Sequence, residues 1–306
     1  MRIFSNLMKE IKEGHFVFTG ELEPEKETDL HNTIKAAEEL KGYVVACNVT
    51  DNPNSMAYIS SLVASYLIQE RTGMEAIYQL RCTDRNAAAL TSDLLGACAL
   101  GIRNVLALTG DHIGLGDYAK AKPVYDLDSA QLTYMIRKMV DEGVDLYGNK
   151  IHGDVRLHVG VAANPNCEPL EAEILKLARK VEAGAEFAQT QVIYDIERVK
   201  EFFEMMRSYG IKIPVLVGIF PLKSYGVAKF FDEHIAGVHV PEELMERITK
   251  AKDEPDKQKR KEKILEINLD FFIPFLKELK RTEAAGCHIM AVGYPEIIPP
   301  LTEAVK

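Results

Sequence analysis

The feature that most limits the folds open to this chain is a repeated grammar. Short β-branched runs alternate from end to end with longer amphipathic stretches. Strand patterns fall at Phe16–Glu21, Tyr43–Val49, Glu75–Leu80, Asn104–Thr109, Val155–Ala162, Phe187–Ile193, Pro214–Phe220 and Cys287–Val292. Helical patterns lie between them, over Asp29–Leu40, Ser55–Arg71, Arg85–Leu100, Ser129–Asp141, Leu170–Ala183 and Ile196–Ser208. Several stop at a glycine just before the next strand, as at Gly73 and Gly184, where a left-handed cap conformation is wanted. Eight strand candidates alternating with helical stretches predict an α/β chain forming one (β/α)8 TIM barrel, a single domain over residues 1–306; an open doubly wound sheet is the competing topology.

Composition narrows the function classes. A chain that is 47% hydrophobic buries enough surface to offset its conformational entropy, which excludes disorder. A net charge of −9 argues against general nucleic-acid binding, which needs a cationic face, but leaves a local site for a small anionic ligand open. Five scattered cysteines without a CxxC pair read as reduced thiols of a cytoplasmic protein. The N-terminus has no apolar signal core, and the uncharged stretch Asn52–Gln69 is too rich in Ser, Asn and Pro to span a membrane. Read as a helix, that stretch needs a cover, either its own terminal segments or another chain. Lys250–Lys263, with seven basic and four acidic residues, reads as a solvated helix approach interrupted at Pro255.

Barrel active sites form at the C-terminal strand ends. Here those ends carry Glu21, Thr50 with Asp51, Gln79 with Arg81, Thr109 with Asp111, Asn164, the Gln189–Gln191 run, and Lys223 with Tyr225. Glu21 follows the apolar FVFTG, so burial can raise its pKa and suit it to general-acid work; equally it can cap a loop or pair with Arg81. Asp111 can stabilise a developing cation or can simply be the aspartate of a Gly-Asp turn. Gln191 offers a ligand both a donor and an acceptor, or it satisfies backbone groups. GxGxxA at Gly114–Ala119 does not join a strand directly to a helix and carries little weight as a dinucleotide signature. Cys287 and His288 are adjacent in a strand and face opposite sides, so they do not form a metal pair. His112 is kept as a minor candidate.

Taken together, these residues resemble the methylenetetrahydrofolate reductase family over nearly the whole chain. The carriers are Glu21 with Pro24, NVTDNPNS, LALTGD, RKVEAGAEFAQTQVIYD and GIFPLKSY, in that order. The resemblance implies a flavin-carrying barrel that reduces 5,10-methylenetetrahydrofolate to 5-methyltetrahydrofolate in one-carbon metabolism. It implies that Glu21 is the general acid at N10 of the folate, that Asp111 stabilises the resulting cation, and that Gln191 and Tyr225 bind the pterin. Thr50 would contact the flavin ring, and Glu173 and Lys180 its ribose and diphosphate, although a simple barrel picture puts Lys180, late in its helix, away from the active face.

Four positions depart from the family pattern. Thr109 stands for arginine, Gln79 for histidine, Asn164 for tyrosine and Glu25 for a second proline. The first three fall where the family binds flavin, so FMN competes with FAD. The altered pocket and the uncharged stretch also resemble an anaerobe branch that pairs with a small metal- or iron–sulfur-containing subunit. Electrons would then come from NAD(P)H or from that partner, in an oligomer or hetero-complex. Two rivals remain: a folate- and flavin-binding electron-relay subunit active only with its partner, and a different barrel lyase or isomerase.

Overall fold

The computed structural model describes residues 2–235 and 237–305. Eight parallel strands close into a barrel in sequence order: β1 (Val17–Leu22), β2 (Ala46–Val49), β3 (Ala76–Arg81), β4 (Asn104–Leu108), β5 (His158–Ala163), β6 (Phe187–Val192), β7 (Val215–Ile219) and β8 (Gly286–Ile289). β8 closes on β1 with Thr19 opposite His288. The open doubly wound alternative is thereby excluded.

Every predicted strand is present, though β2 and β5 start three residues later than the patterns suggested and β8 ends three earlier. Helices α2 (His31–Leu40), α4 (Ala87–Ala99), α5 (Ser129–Glu142), α6 (Leu170–Glu182) and α7 (Ile196–Ser208) match the helical patterns, and α3 (Ser61–Thr72) matches the second part of its own. One reading is corrected. Asn52–Gln69 is not one helix: Asn52, Asn54 and Ser55 take positive φ around a short 3-10 turn, and α3 begins only at Ser61. The outer faces of α3 and α4 leave Val63, Tyr66 and Leu95 exposed.

Elements that escaped the sequence reading close the ends. An N-terminal helix, α1 (Asn6–Lys12), puts Leu7, Met8 and Ile11 into the floor of the barrel, where they meet Ile77, Leu106 and Phe187. Glu75 anchors it by accepting hydrogen bonds from the Asn6 and Leu7 amides. After β7 come α8 (Tyr225–His234), α9 (Glu242–Lys252) and the long α10 (Lys257–Leu279); a short α11 (Ile298–Glu303) follows β8. The Lys250–Lys263 run is broken around Pro255 as expected, between α9 and α10. Buried Asn268 of α10 bonds both the amide and the carbonyl of Leu222, which pins the loop after β7 at the barrel mouth.

The interior is layered. At the floor the inward positions are Ala46, Ile77, Leu106, Phe187 and Leu216, and Gly160 leaves room for the Phe187 ring, which a Cβ there would meet at 2.2 Å. One step toward the C-terminal ends the inward positions turn polar, with Asn48, Gln79, Gln189 and His288. Buried amides and imidazoles need partners, and they find them across the barrel.

Candidate active site

The polar layer floors a cavity of about 340 Å³ that opens at the C-terminal mouth. Asn48 and Gln189 exchange two hydrogen bonds across it, at 2.7 and 3.1 Å. Glu21 enters from β1. Its Oε2 lies 3.4 Å from Gln79 Nε2 on one side and 3.4 Å from His288 Nε2 on the other. His288 is in turn tied through Nδ1 to the buried Thr19 hydroxyl at 3.0 Å. Glu21 also lines a second cavity of about 240 Å³ beneath the loops after β1 and β8, with Glu23, Glu25 and Lys223.

Six of the candidate residues meet at the first cavity: Glu21, Gln79, Asn164, Glu173, Lys180 and Gln191. Gln191 reaches the mouth because the β6–β7 register shifts there: Thr190 Oγ1 takes the Gly218 amide, and Gln191 Oε1 accepts from Val192. Such irregularities re-aim side chains at strand ends. Glu173, buried at the start of α6, accepts the Asn164 amide at 3.0 Å. Lys180 lines the cavity despite its late place in the helix, because its long stem carries Nζ to the Ala162 carbonyl at 2.6 Å. Burial holds its pKa below the usual lysine range, against the opposing pull of Glu173.

The other four candidates lie outside this lining. Thr109 accepts the Ser129 amide at the start of α5. The Asp111 carboxylate accepts the Asn54 amide at 2.8 Å and so braces one mouth loop against another. Tyr225 opens α8 with Lys252 Nζ 4.5 Å from its ring centre. Thr50 is buried, and its hydroxyl has no partner among the described residues. Arg81 does not pair with Glu21; it turns to Asp84 and to the Asn52 carbonyl. His112 sits in the loop, accepting the Gly114 amide, and Gly116 packs against the Ser55 carbonyl rather than opening a helix.

Three residues of the site were not picked out from sequence: Asn48, Glu23 and His288. The signal was there for two of them, since VVACNV and GCHIMAV each place a polar residue in an otherwise apolar strand. Glu23 continues the inward register of Thr19 and Glu21. Burial, reinforced by Glu21 and Glu25 and opposed by Lys223, pushes its pKa from 4.5 up to about 7. Folded Glu23 therefore keeps a proton that the unfolded chain has released, so its contribution to stability is complete below pH ~4.5 and is lost as the pH rises through about 7. Urea titrations of Glu23→Gln are expected to show the variant gaining stability relative to wild type between pH 4 and pH 8; a constant difference would refute this environment for Glu23.

The donor set fits a planar heteroaromatic group. Gln79, Asn164 and Gln191 offer donors and acceptors around one cavity; the Thr50 hydroxyl, buried outside its lining, has no partner among the described residues. Provision for phosphates is thinner. Lys180 is the one Lys or Arg lining the cavity among the described residues, and Arg85 is committed to Asp51.

A closed (β/α)8 barrel with a polar layer and a half-buried carboxylate at its C-terminal mouth defines the class: a barrel with an enzyme-type site. The family model for methylenetetrahydrofolate reductase matches residues 6–305, and the chain belongs to that enzyme family. It is 29% identical over 221 residues to the 5,10-methylenetetrahydrofolate reductase of Salmonella typhimurium, covering 71% of this chain and 67% of that protein. The enzyme of the same name from Pectobacterium carotovorum is 25% identical over 293 residues, covering 93% and 88%. Among solved structures, an uncharacterised Clostridium thermocellum protein described as binding two copies of 5-methyl-5,6,7,8-tetrahydrofolic acid superposes with a TM-score of 0.65. At 16% identity, over 99% of this chain and 98% of that one, it speaks to the fold.

Proposed function

We propose that this chain, as one catalytic domain, is a flavin-dependent reductase of 5,10-methylenetetrahydrofolate in one-carbon metabolism, acting in the cytoplasm. Family membership supports the reaction. The observation that carries the site assignment is Glu21, held by Gln79 and His288 through one oxygen in the floor of a cavity lined by amides. Its other oxygen carries no hydrogen bond among the described residues, which suits it to hand a proton to the N10 nitrogen of a folate. Loss of the C–N bond to the bridging carbon then leaves an electrophilic cation.

The flavin, when bound, supplies the hydride that reduces this carbon. Gln79, Asn164 and Thr50 would hold the flavin ring, and Glu173 and Lys180 its ribose and phosphate side. Gln191, exposed at the mouth, would read the donor and acceptor edge of the pterin, with Tyr225 at its rim. Asp111 would act on the cation from the loop after β4, once its brace to Asn54 is exchanged for substrate. FAD follows from the family and FMN from the thin provision for phosphate.

The test is to release the chromophore from purified protein, identify it by mass, and assay reduction of methylenetetrahydrofolate with NADH and with NADPH. A colourless protein that neither takes up flavin nor binds folate would overturn this reading. A second reading, an electron-relay subunit working only with a partner, draws on exposed Val63, Tyr66 and Leu95. Activity that appears only with a co-purifying subunit would favour it.

A further inference from the structure

We infer that His288 is a positioning residue that shares one mobile proton with Glu21 and reloads it between turnovers, with Thr19 holding the imidazole through Nδ1. This rests on the reading of Glu21 as the general acid and extends it to the source of the proton.

The geometry is specific. His288 stands in the polar layer of β8 with its side chain almost wholly buried, between the Thr19 hydroxyl at 3.0 Å on Nδ1 and Glu21 Oε2 at 3.4 Å on Nε2. Thr19 is fully buried, and the imidazole is the only partner of its hydroxyl among the described residues. A hydroxyl can donate or accept, so it serves Nδ1 whether or not that nitrogen carries hydrogen. Nε2 is then free to gain or lose a proton toward Glu21. Gln79, the other neighbour of Oε2, can only donate through its amide nitrogen and carries no exchangeable charge.

The proton balance closes within the pair and water. In one state His288 is an imidazolium and Glu21 a carboxylate. Moving the Nε2 proton to Oε2 breaks N–H, forms O–H and leaves neutral imidazole donating from Nδ1 to Thr19 Oγ1. Rotation of the Glu21 carboxyl about its Cγ–Cδ bond presents that O–H to the substrate nitrogen; the O–H bond breaks as N–H forms, and the C–N bond breaks with its electron pair staying on nitrogen. A proton from water at the mouth restores the imidazolium, and nothing is oxidised or reduced in the pair. Among the described residues, the titratable groups lining the two cavities that Glu21 borders are Glu23, Glu25 and Glu27 after β1, Glu173 and Lys180 from α6, and Lys223 from the loop after β7.

Glutamine can hydrogen-bond to Glu21 but cannot carry a proton, so His288→Gln separates the relay from simple packing. Folate reduction is expected to fall about 10- to 100-fold. The alkaline limb of the pH–rate profile should move to lower pH, because the variant has no imidazole to hold a proton for Glu21. Tetrahydrofolate binding and thermal midpoint should hold. In His288→Ala, added imidazole should restore part of the rate. Thr19→Val, which keeps shape and removes the hydroxyl, should shift the same limb in the same direction and decides the matter if His288→Gln fails to fold. An unchanged rate and pH limb in whichever of these variants folds would overturn the inference. Full activity of Glu21→Gln would instead remove the reading of Glu21 on which it rests.

Discussion

Glu21→Gln is expected to bind folate and flavin and yet lose methylenetetrahydrofolate reduction by about 10²- to 10⁴-fold, the range a positioned proton donor supplies. The isosteric amide can preserve the contacts to Gln79 and His288, both made through one oxygen at 3.4 Å, so the layer around it has no reason to collapse. What disappears is the transferable proton. Stopped-flow measurement separates the half-reactions: reduction of the flavin by its donor should proceed at close to the wild-type rate, while reoxidation by folate stalls. Near-normal reoxidation would withdraw Glu21 from the chemistry, and equal losses in both halves would mean a structural role.

The largest effect on stability is expected at the opposite end of the barrel. Phe187 is fully buried on β6, fills the space left by Gly160, and joins α1 to the barrel floor through Leu7, Ile77, Leu106 and Leu216. Phe187→Ala removes its contacts and opens a cavity that a closed ring of parallel strands cannot shrink to fill, so a loss of about 3–5 kcal/mol is expected. The urea midpoint should fall accordingly. Folate affinity measured well below that midpoint should remain, because Gln189 and Gln191 lie further along the strand and keep their own partners. A loss under about 1 kcal/mol would mean that α1 relaxes into the space.

These two positions mark what can be read along the chain. Phe187 and Gln189 are two residues apart on one inward face, so the alternation already separated a packing residue from a site residue. Glu21 likewise stood out as a carboxylate at the end of an apolar run. Lys180 was harder, because the reach of its stem to Ala162 cannot be judged from its place in a helix. Thr109 and Asp111 occupy strand-end positions, yet their side chains brace Ser129 and Asn54, a choice set by how the mouth loops pack.

By itself the sequence determined the eight strands and the order of strands and helices through α7, because strand and helix periodicity are local properties of a few consecutive side chains; closure into a barrel rather than an open sheet was decided by the pairing of β8 with β1. It also determined that the strand ends are polar, and its motifs pointed to the family. Only the tertiary structure decided which polar groups share a hydrogen bond. Asn48 meets Gln189 across 141 residues, and Glu21 meets His288 across 267. Those pairings depend on barrel closure and on the stagger of each strand against its neighbour. A one-residue slip would turn His288 outward and Cys287 in.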